Sequence, residues 1–165
     1  RKHNFDVIYT DFAKAFDKVP HRRLLRKLEN HGIGGKLWRW IESWLSGRHQ
    51  RTCIKGVKSS WRKVTSGVPQ GSVLGPILFL IYINDLDSGV MSWILKFADD
   101  TKIYRRIGGG DDRQQLQRDL YRLMEWQMLF NDKKCKTMHI GDGSQHVYKM
   151  GIMILKTLWW KGILE

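Results

Sequence analysis

The sequence predicts one globular unit in which strands and helices follow each other in mixed α/β order. Its 165 residues are 42% hydrophobic, which is enough apolar side chain for a substantial core. From Phe5 to Phe12 the side chains alternate with a period of two, which is typical of a strand. From Lys36 to Ser46 apolar residues recur every three or four positions, which is typical of a helix. We therefore expect one packed domain and not a disordered chain.

The other elements are predicted in chain order from turn residues and apolar spacing. Pro20 can open a helix, which Gly32 would end. Two β-branched runs joined by Lys-Ser-Ser predict a hairpin, and a glycine-punctuated loop then leads into a buried helix. No pattern assigns the segment after Gly141. The predicted ranges are helix 21–32, hairpin strands 51–57 and 61–66, buried helix 77–86, strands 93–98 and 101–107, loop 108–112, a helix through Leu116, Leu120 and Leu123, and strand 135–140.

The charge balance indicates a polyanionic partner. Lys and Arg number 29 against 16 Asp and Glu, a formal charge of +13, and such an excess repels itself unless negative charge lies nearby. Nucleic acid is the first candidate and an anionic membrane surface the second. The longest apolar run, 73–83, falls short of the roughly 20 residues of a membrane helix, so we expect a core helix and no membrane partner. Two cysteines make no disulfide framework, which favours an intracellular location, nucleus or cytoplasm.

Against this basic background, Asp99 and Asp100 stand together between two apolar runs in KFADDTKIY. Adjacent aspartates at a hairpin tip are most often turn formers exposed to water. On a rigid, partly buried element, however, like charges are costly unless a cation neutralises them. Mg²⁺ takes one or two carboxylates together with substrate phosphates, and Asp11 at the end of another strand would complete a two-metal site. Asp11 precedes Asp99 by 88 positions, so their proximity is inferred from their similar placement at strand ends.

Three motifs carry a resemblance to a known family. YTDFAKAFDKVPH, SGVPQGSVLGPILFLIYINDL and KFADDTKIY, in this order and spacing, resemble the reverse transcriptase domain of non-LTR retrotransposons, particularly the jockey-like and vertebrate LINE branches. The resemblance runs from about Asp6 to Gly141. It implies an α+β polymerase palm, a small antiparallel sheet backed by helices, with fingers and thumb largely missing. It also implies a palm core over 1–141 and a degenerate C-terminal extension over 142–165.

The resemblance assigns metal-binding and catalytic roles by motif position. Asp11 and Asp99 are similar to the two metal-binding aspartates, and Asp100 matches the neighbour that completes the pair. The main-chain carbonyl of Phe12 would be a further ligand of two Mg²⁺ ions, with Mn²⁺ as an alternative. In FNDKKCKTMHIG, Lys134 becomes the candidate general acid for departing pyrophosphate, although a solvated surface lysine explains the same residue.

Nucleotide-binding roles follow in the same way. Phe16 falls where the family places an aromatic ring under the sugar of the incoming nucleotide, which would clash with a ribose 2′-OH. The alternative is a core phenylalanine at a helix start. Gln70 and Gly71 would contact nucleotide and template, which is compatible with a glycine-rich turn into the next helix. Asp17 is expected to hydrogen-bond the turn into the following helix.

These assignments lead to three functional hypotheses. The first is an RNA-directed DNA polymerase that uses an RNA template, a DNA primer and dNTP. The second is an inactive retroelement remnant that binds RNA or RNA/DNA hybrid through its basic surface. The third, a two-metal nuclease, would need more Glu or His near the aspartates than the sequence offers. LYRLMEWQMLFN is short by roughly one helical turn relative to the family, and MGIMILKTLWWKGILE departs from it. We therefore expect a decayed copy or a mispredicted sequence, with little activity of its own.

Overall fold

The computed structural model describes residues 3–126, 128–131, 133–141 and 146–160, with the backbone alone for 159 and 160. The chain divides into two compact units. Residues 1–13 and 85–165 form the first, which we call the sheet unit, and residues 14–84 form the second, the helical unit. In chain order, the elements are β1 (Asn4–Asp11), a 3-10 helix (Ala15–Lys18), α1 (His21–Asn30), α2 (Gly35–Leu45), β2 (His49–Gln50), β3 (Cys53–Ile54), β4 (Val57–Lys58), β5 (Arg62–Lys63), α3 (Leu74–Ile83), β6 (Trp93–Phe97), β7 (Asp100–Ile107), α4 (Gly110–Met124), β8 (Lys136–Ile140), β9 (Lys149–Met150), β10 (Met153–Ile154) and β11 (Lys156–Trp160).

The sheet unit is built on five strands in the order β11-β8-β1-β7-β6. Neighbouring strands are antiparallel except β8 and β11, which run parallel. The predicted antiparallel sheet is therefore correct for four strands and wrong at the β11 edge. Strand β1 lies at the centre, so its backbone is hydrogen-bonded on both sides. The α+β class predicted from the sequence is confirmed.

The two faces of β1 have different surroundings. Asp6, Ile8 and Thr10 are buried, whereas Tyr9 and Asp11 on the other face are partly exposed. Helix α4 contacts β7 and contributes buried leucines to the same core, Leu116, Leu120 and Leu123. Burying each such side chain contributes about 1.5–3 kcal/mol to the free energy of folding. Packing thus occupies one face of the strand and leaves the other accessible.

A buried polar cluster lies on the helix-covered face. The carboxylate of Asp6 accepts hydrogen bonds from the Tyr148 hydroxyl at 2.7 Å and from Arg113 Nε at 3.4 Å, and lies 2.5 Å from His139 Nδ1. Burial raises the pKa of the Tyr148 phenol, which therefore stays protonated and donates. The cluster connects β1, β8, α4 and the segment before β9, so the C-terminal segment is bonded to the sheet core.

The helical unit packs α1 against both α2 and α3. Leu24 and Leu28 of α1 and Phe79 of α3 are completely buried. The Lys27 ammonium donates to the Tyr82 carbonyl at 2.7 Å, so this buried charge is hydrogen-bonded. Helix α3 has only ten residues, and among the described helices we find none whose length and apolar character suit a membrane crossing.

The predicted hairpin exists, but its tip was placed wrongly at Lys-Ser-Ser. The chain turns at Lys55 and Gly56, which have φ values of +49° and +83°, and β3 pairs with β4 directly beside this turn. Positive φ at both central residues is what a two-residue turn of the favoured hand requires, and glycine adopts it without strain. Strands β2 and β5 form a second short ladder farther from the tip.

The starts of two helices also differ from prediction. Helix α3 begins at Leu74, three residues before the predicted start. Helix α4 begins at Gly110, so Asp111 and Asp112 form its first turn and not a loop. Carboxylates are favourable at a helix N-terminus, where the backbone N–H groups are unpaired. The segment predicted as a degenerate extension contains β9, β10 and β11, while 142–145 and 161–165 lie outside the described residues. The proposed domain boundary at Gly141 stays a prediction.

Candidate active site

The sheet unit brings two of the predicted aspartates face to face. Asp11 is the last residue of β1, and the antiparallel register places it directly opposite Asp100, the first residue of β7. Cβ atoms of such cross-strand partners are about 4.5–5.5 Å apart. Asp99 immediately precedes Asp100, so all three carboxylates lie where β1 ends and β7 begins. We call this end of the two strands the carboxylate edge. The proximity that was inferred from strand ends is thus present in the backbone register.

The turn between β6 and β7 is shifted by one residue from the prediction. Phe97 pairs with Asp100, so Ala98 and Asp99 form the two-residue connection that was predicted for the aspartate pair. Ala98 has φ +52°, a left-handed conformation that costs a non-glycine residue roughly 1–2 kcal/mol. The two aspartates therefore occupy different backbone positions, because Asp99 lies in the turn and Asp100 lies in strand β7.

The edge carries more negative charge than the described cations neutralise. Lys134 Nζ lies 3.3 Å from Asp11 Oδ1, and no other ion pair to the three aspartates forms among the described residues. The Asp11 side chain is 17% exposed and that of Lys134 is 65% exposed, so solvent screens this pair and it contributes at most about 1 kcal/mol. Among the described residues, Asp11 alone of the three aspartates therefore has a cation beside it, and that pair is weak.

The backbone around Asn131 explains how Lys134 reaches Asp11. Asn131 N–H donates to the Asp11 carbonyl at 2.7 Å and Ala13 N–H to the Leu129 carbonyl at 2.7 Å, which closes a β-bridge between Phe12 and Phe130. A turn follows, in which Lys134 N–H donates to the Asn131 carbonyl. The bridge uses the carbonyls of the neighbouring residues and not that of Phe12. Sequence reasoning missed this bridge, although the asparagine before Asp-Lys-Lys was a turn signal.

A preformed cage of ligands is not present at this edge. Among the described residues, no three His, Cys, Asp or Glu side chains group as ligands of one metal ion. The register sets Asp11 and Asp100 on facing positions with Asp99 in the adjoining turn, and the convergence of the three side chains on metal ions stays a prediction. The donors are nonetheless all carboxylate oxygens, the type that hard divalent cations prefer.

In the helical unit, Phe16 belongs to an aromatic stack. Its ring lies 4.7 Å from that of Phe79, with 23° between the planes, and its side chain stays partly exposed. The carbonyl of Phe16 accepts from Val68 N–H at 2.8 Å, and that of Val19 from Gly67 N–H at 2.8 Å. The glycine-rich loop is thereby bonded to the 3-10 helix. The core interpretation of Phe16 describes its packing, while its role toward a nucleotide stays a prediction.

Asp17 and Gln70 interact directly. Gln70 Nε2 donates to Asp17 Oδ1 at 3.2 Å, and Ser66 Oγ donates to the Asp17 carbonyl at 2.8 Å. Asp17 was expected to hydrogen-bond the turn into the next helix, and this is wrong because its carboxylate reaches across to the glycine-rich loop. Helix α1 accordingly begins without a side-chain cap.

Two glycines of the loop are required for different reasons. Gly67 has φ +89°, and a Cβ there would lie 2.7 Å from the Asp17 Cα and carbonyl oxygen. Gly71 has φ +79°, but a Cβ there would meet nothing within 4 Å. Gly67 thus permits a close approach of two backbones, whereas Gly71 supplies a backbone conformation next to open space.

A cavity of about 500 Å³ opens beside this loop within the helical unit. Its lining includes the cations Lys14, Lys18, Arg48 and Lys63, with Asp17 the one acidic residue. The Arg48 guanidinium donates to the carbonyls of Leu45 at 3.1 Å and Gly67 at 2.9 Å, and burial lowers its pKa. Sequence reasoning missed this cavity, because its walls come from segments that are far apart in the chain.

Comparison with known proteins identifies relatives of most of the chain. Residues 3–155 match the family model described as reverse transcriptase (RNA-dependent DNA polymerase). The probable RNA-directed DNA polymerase from transposon X-element of Drosophila melanogaster is 32% identical over 130 residues, which are 75% of this chain and 14% of that protein. The RNA-directed DNA polymerase from mobile element jockey of Drosophila funebris is 31% identical over 140 residues, 77% of this chain and 15% of that protein.

The fold has a counterpart among solved structures. Telomerase from Candida tropicalis, in complex with a fragment of telomeric RNA, superposes with a TM-score of 0.61 over 90% of this chain and 28% of that chain. Sequence identity is 13%, so the likeness concerns the fold alone. It agrees with a partial palm-like α+β fold. This chain spans only about one seventh of the two insect proteins.

Proposed function

Because the chain belongs to the reverse transcriptase family, we propose that it forms the palm of an RNA-directed DNA polymerase from a non-LTR retrotransposon. In the proposed reaction, the 3′-oxygen of a DNA primer attacks the α-phosphorus of a dNTP that is paired with an RNA template. A phosphodiester bond forms, the bond to the β-phosphate oxygen breaks, and pyrophosphate leaves. The observation that carries the proposal is the register that sets Asp11 opposite Asp100 with Asp99 in the adjoining turn.

The donor set at the carboxylate edge fits a divalent cation. Reverse transcriptases use divalent metal ions, and we propose two Mg²⁺ ions here, with Mn²⁺ as an alternative. Asp11 and Asp100 bear like charges on facing positions, which is unfavourable without a cation between or beside them. Asp11, Asp99 and the Phe12 carbonyl would hold the metal, and substrate phosphates would supply the remaining ligands. The chemistry that bound metal supplies is activation of the attacking hydroxyl and neutralisation of charge on the leaving pyrophosphate.

The chain's own side chains would do the rest by positioning. Lys134, which reaches Asp11 in the structure, would place a cation and a proton donor beside the edge for the departing pyrophosphate. The Phe16 ring, fixed by its stack on Phe79, would exclude a 2′-OH from the nucleotide sugar. Gln70, oriented by Asp17, and Gly71, with open space beside its backbone, would contact nucleotide and template.

Primer extension tests the proposal. Residues 3–155 would replace the corresponding segment of the jockey polymerase, and extension of an oligo-dT primer on poly-A RNA with labelled dTTP would be followed. We expect extension that requires Mg²⁺ and falls to background in Asp99→Asn, because a neutral amide is a much weaker ligand of a hard cation than a carboxylate.

A matched control replaces an exposed aspartate away from the edge. Asp111 lies in the first turn of α4 and is exposed, so Asp111→Asn should extend like the parent. If Asp99→Asn extends as well as Asp111→Asn, the assignment of the carboxylate edge is wrong. If the parent chimaera binds the primer–template but does not extend it, the remnant hypothesis replaces the polymerase.

A further inference from the structure

The segment between α2 and the glycine-rich loop has an unusual charge composition. Residues 48–63, which we call the basic arm, contain six cationic side chains and neither Asp nor Glu. These cations are Arg48, Arg51, Lys55, Lys58, Arg62 and Lys63. In the whole chain, Asp and Glu number 16 against 29 Lys and Arg, so a stretch of this length without an acidic residue concentrates positive charge. Such a concentration destabilises the free protein unless a polyanion compensates it.

The basic arm contributes little to the core. Every residue from His49 to Lys63 is exposed, including Ile54, Val57 and Trp61, which are 67%, 75% and 59% exposed. The hairpin is held by two ladders of two residue pairs each. The Arg51 guanidinium lies 4.4 Å from the centre of the Trp61 ring, so one aromatic face on the arm already binds a planar cation. Because every residue from His49 to Lys63 is exposed, burial in the core does not account for this hairpin.

The positive charge continues from the arm into the cavity. Arg48, Gln50 and Lys63 at the base of the arm line this cavity, and so do Lys14 and Lys18. The carboxylate of Asp17, also in the lining, accepts a hydrogen bond from Gln70 Nε2. The cavity lining therefore combines four cations with one engaged carboxylate, an arrangement that suits phosphate groups.

We propose that the basic arm and the cavity at its base bind the phosphodiester backbone of an RNA strand. The inference rests on the proposed function only in taking RNA as the polyanion. The cations extend over seven residues from the base of the arm to Lys55, about 23 Å at strand spacing. Even for a strand stacked as in a duplex, with about 3.4 Å per phosphate, that length accommodates at most about seven phosphates, and a single nucleotide has too few phosphates to span it.

Salt-dependent RNA binding tests the proposal. Fluorescence anisotropy of a labelled single-stranded RNA of about 20 nucleotides would be measured from about 0.05 to about 0.3 M salt for the unaltered chain and for Lys58→Gln/Arg62→Gln/Lys63→Gln. Each phosphate contact to a single strand contributes about 0.7 to the slope of log K against log salt, so the triple variant should lower the slope by about 2. If the variant and the unaltered chain bind RNA equally at about 1 M salt, this difference in slope corresponds to a loss of affinity of about 100-fold at about 0.1 M salt.

The matched control removes the same charge elsewhere in the helical unit. Arg22 and Arg26 of α1 and Arg39 of α2 are exposed and outside the cavity lining, so Arg22→Gln/Arg26→Gln/Arg39→Gln should lose far less affinity. Equal losses in both triple variants would mean that RNA responds to net charge alone, and the proposal would be wrong. If dTTP displaces the RNA and the arm variant loses dTTP affinity by the same factor, the site binds a triphosphate and the proposal also fails.

A second measurement needs no variant and does not depend on its folding. Lysine acetylation of the unaltered chain, read by mass spectrometry, should be suppressed by RNA at Lys55, Lys58 and Lys63 more than at Lys36 of α2. Equal protection at all four lysines would overturn the proposal. A parent chimaera that fails to extend, while the arm variant of the unaltered chain still loses RNA affinity, contradicts the proposed function and not this inference.

Discussion

Replacement of Gly67 by alanine tests the close contact between the glycine-rich loop and the 3-10 helix. At φ +89° an alanine costs roughly 1–2 kcal/mol of backbone strain. Its Cβ would also lie 2.7 Å from two backbone atoms of Asp17, and such overpacking costs typically about 1–3 kcal/mol. We therefore expect Gly67→Ala to lower the free energy of unfolding by about 2–5 kcal/mol.

Gly71→Ala is the matched control, because Gly71 has a similar φ of +79° and open space at the Cβ position. It should cost only the backbone strain, about 1–2 kcal/mol. Urea-induced unfolding followed by tryptophan fluorescence measures both free energies. The difference between the variants isolates the contact with Asp17. A cost for Gly71→Ala equal to or above that of Gly67→Ala would refute the reasoning.

The structure predicts the direction of the effect of three other substitutions. Tyr148→Phe removes the hydroxyl that donates to the buried aspartate of β1 and should cost about 1.5–3 kcal/mol in urea unfolding, whereas Tyr121→Phe on the exposed side of α4 should stay within about 0.5 kcal/mol. Burial lowers the pKa of His146 below 6.5, so the unfolded chain takes up a proton first and stability falls as the pH drops from about 7.5 to about 5.5. His146→Gln should lose less free energy of unfolding over that range, and an identical loss would contradict this. Lys134→Gln removes the cation that competes with a metal ion for Asp11, so Mn²⁺ should bind about twofold to fivefold more tightly. Electron paramagnetic resonance measures this affinity, and weaker Mn²⁺ binding by the variant would contradict the prediction.

Elements with a strong local period were predictable from the sequence. The helix over Gly35–Leu45 and the strand Asn4–Asp11 agree with their predicted ranges to within one residue, because amphipathic spacing reports burial directly. The aspartate edge was also predictable, since a strand end and a hairpin tip are both local features. That Asp11 pairs with Asp100 could not be predicted in the same way, because the register between two distant strands is not contained in any local pattern.

Other features depended on competition between similar local signals. Lys55-Gly56 and Lys-Ser-Ser both permit a turn, and the structure uses the glycine because positive φ is required there. Strand β11 pairs parallel to β8, and its sequence, KTLWW, does not alternate clearly between polar and apolar residues. The Asp17–Gln70 hydrogen bond and the cavity arise from tertiary packing, which single-residue propensities do not describe.

The two faces of the central strand β1 are under different constraints. Its even-numbered side chains, such as Asp6 and Ile8, are buried with α4, while Asp11 points to the accessible side. Under the proposed function, selection for folding and selection for copying would act on different positions of the same eight residues. If Asp11 holds the metal as proposed, a single substitution there would abolish the chemistry of a copy and leave its protein folded and abundant. Abundance in a cell would then be a poor guide to which copies still transpose.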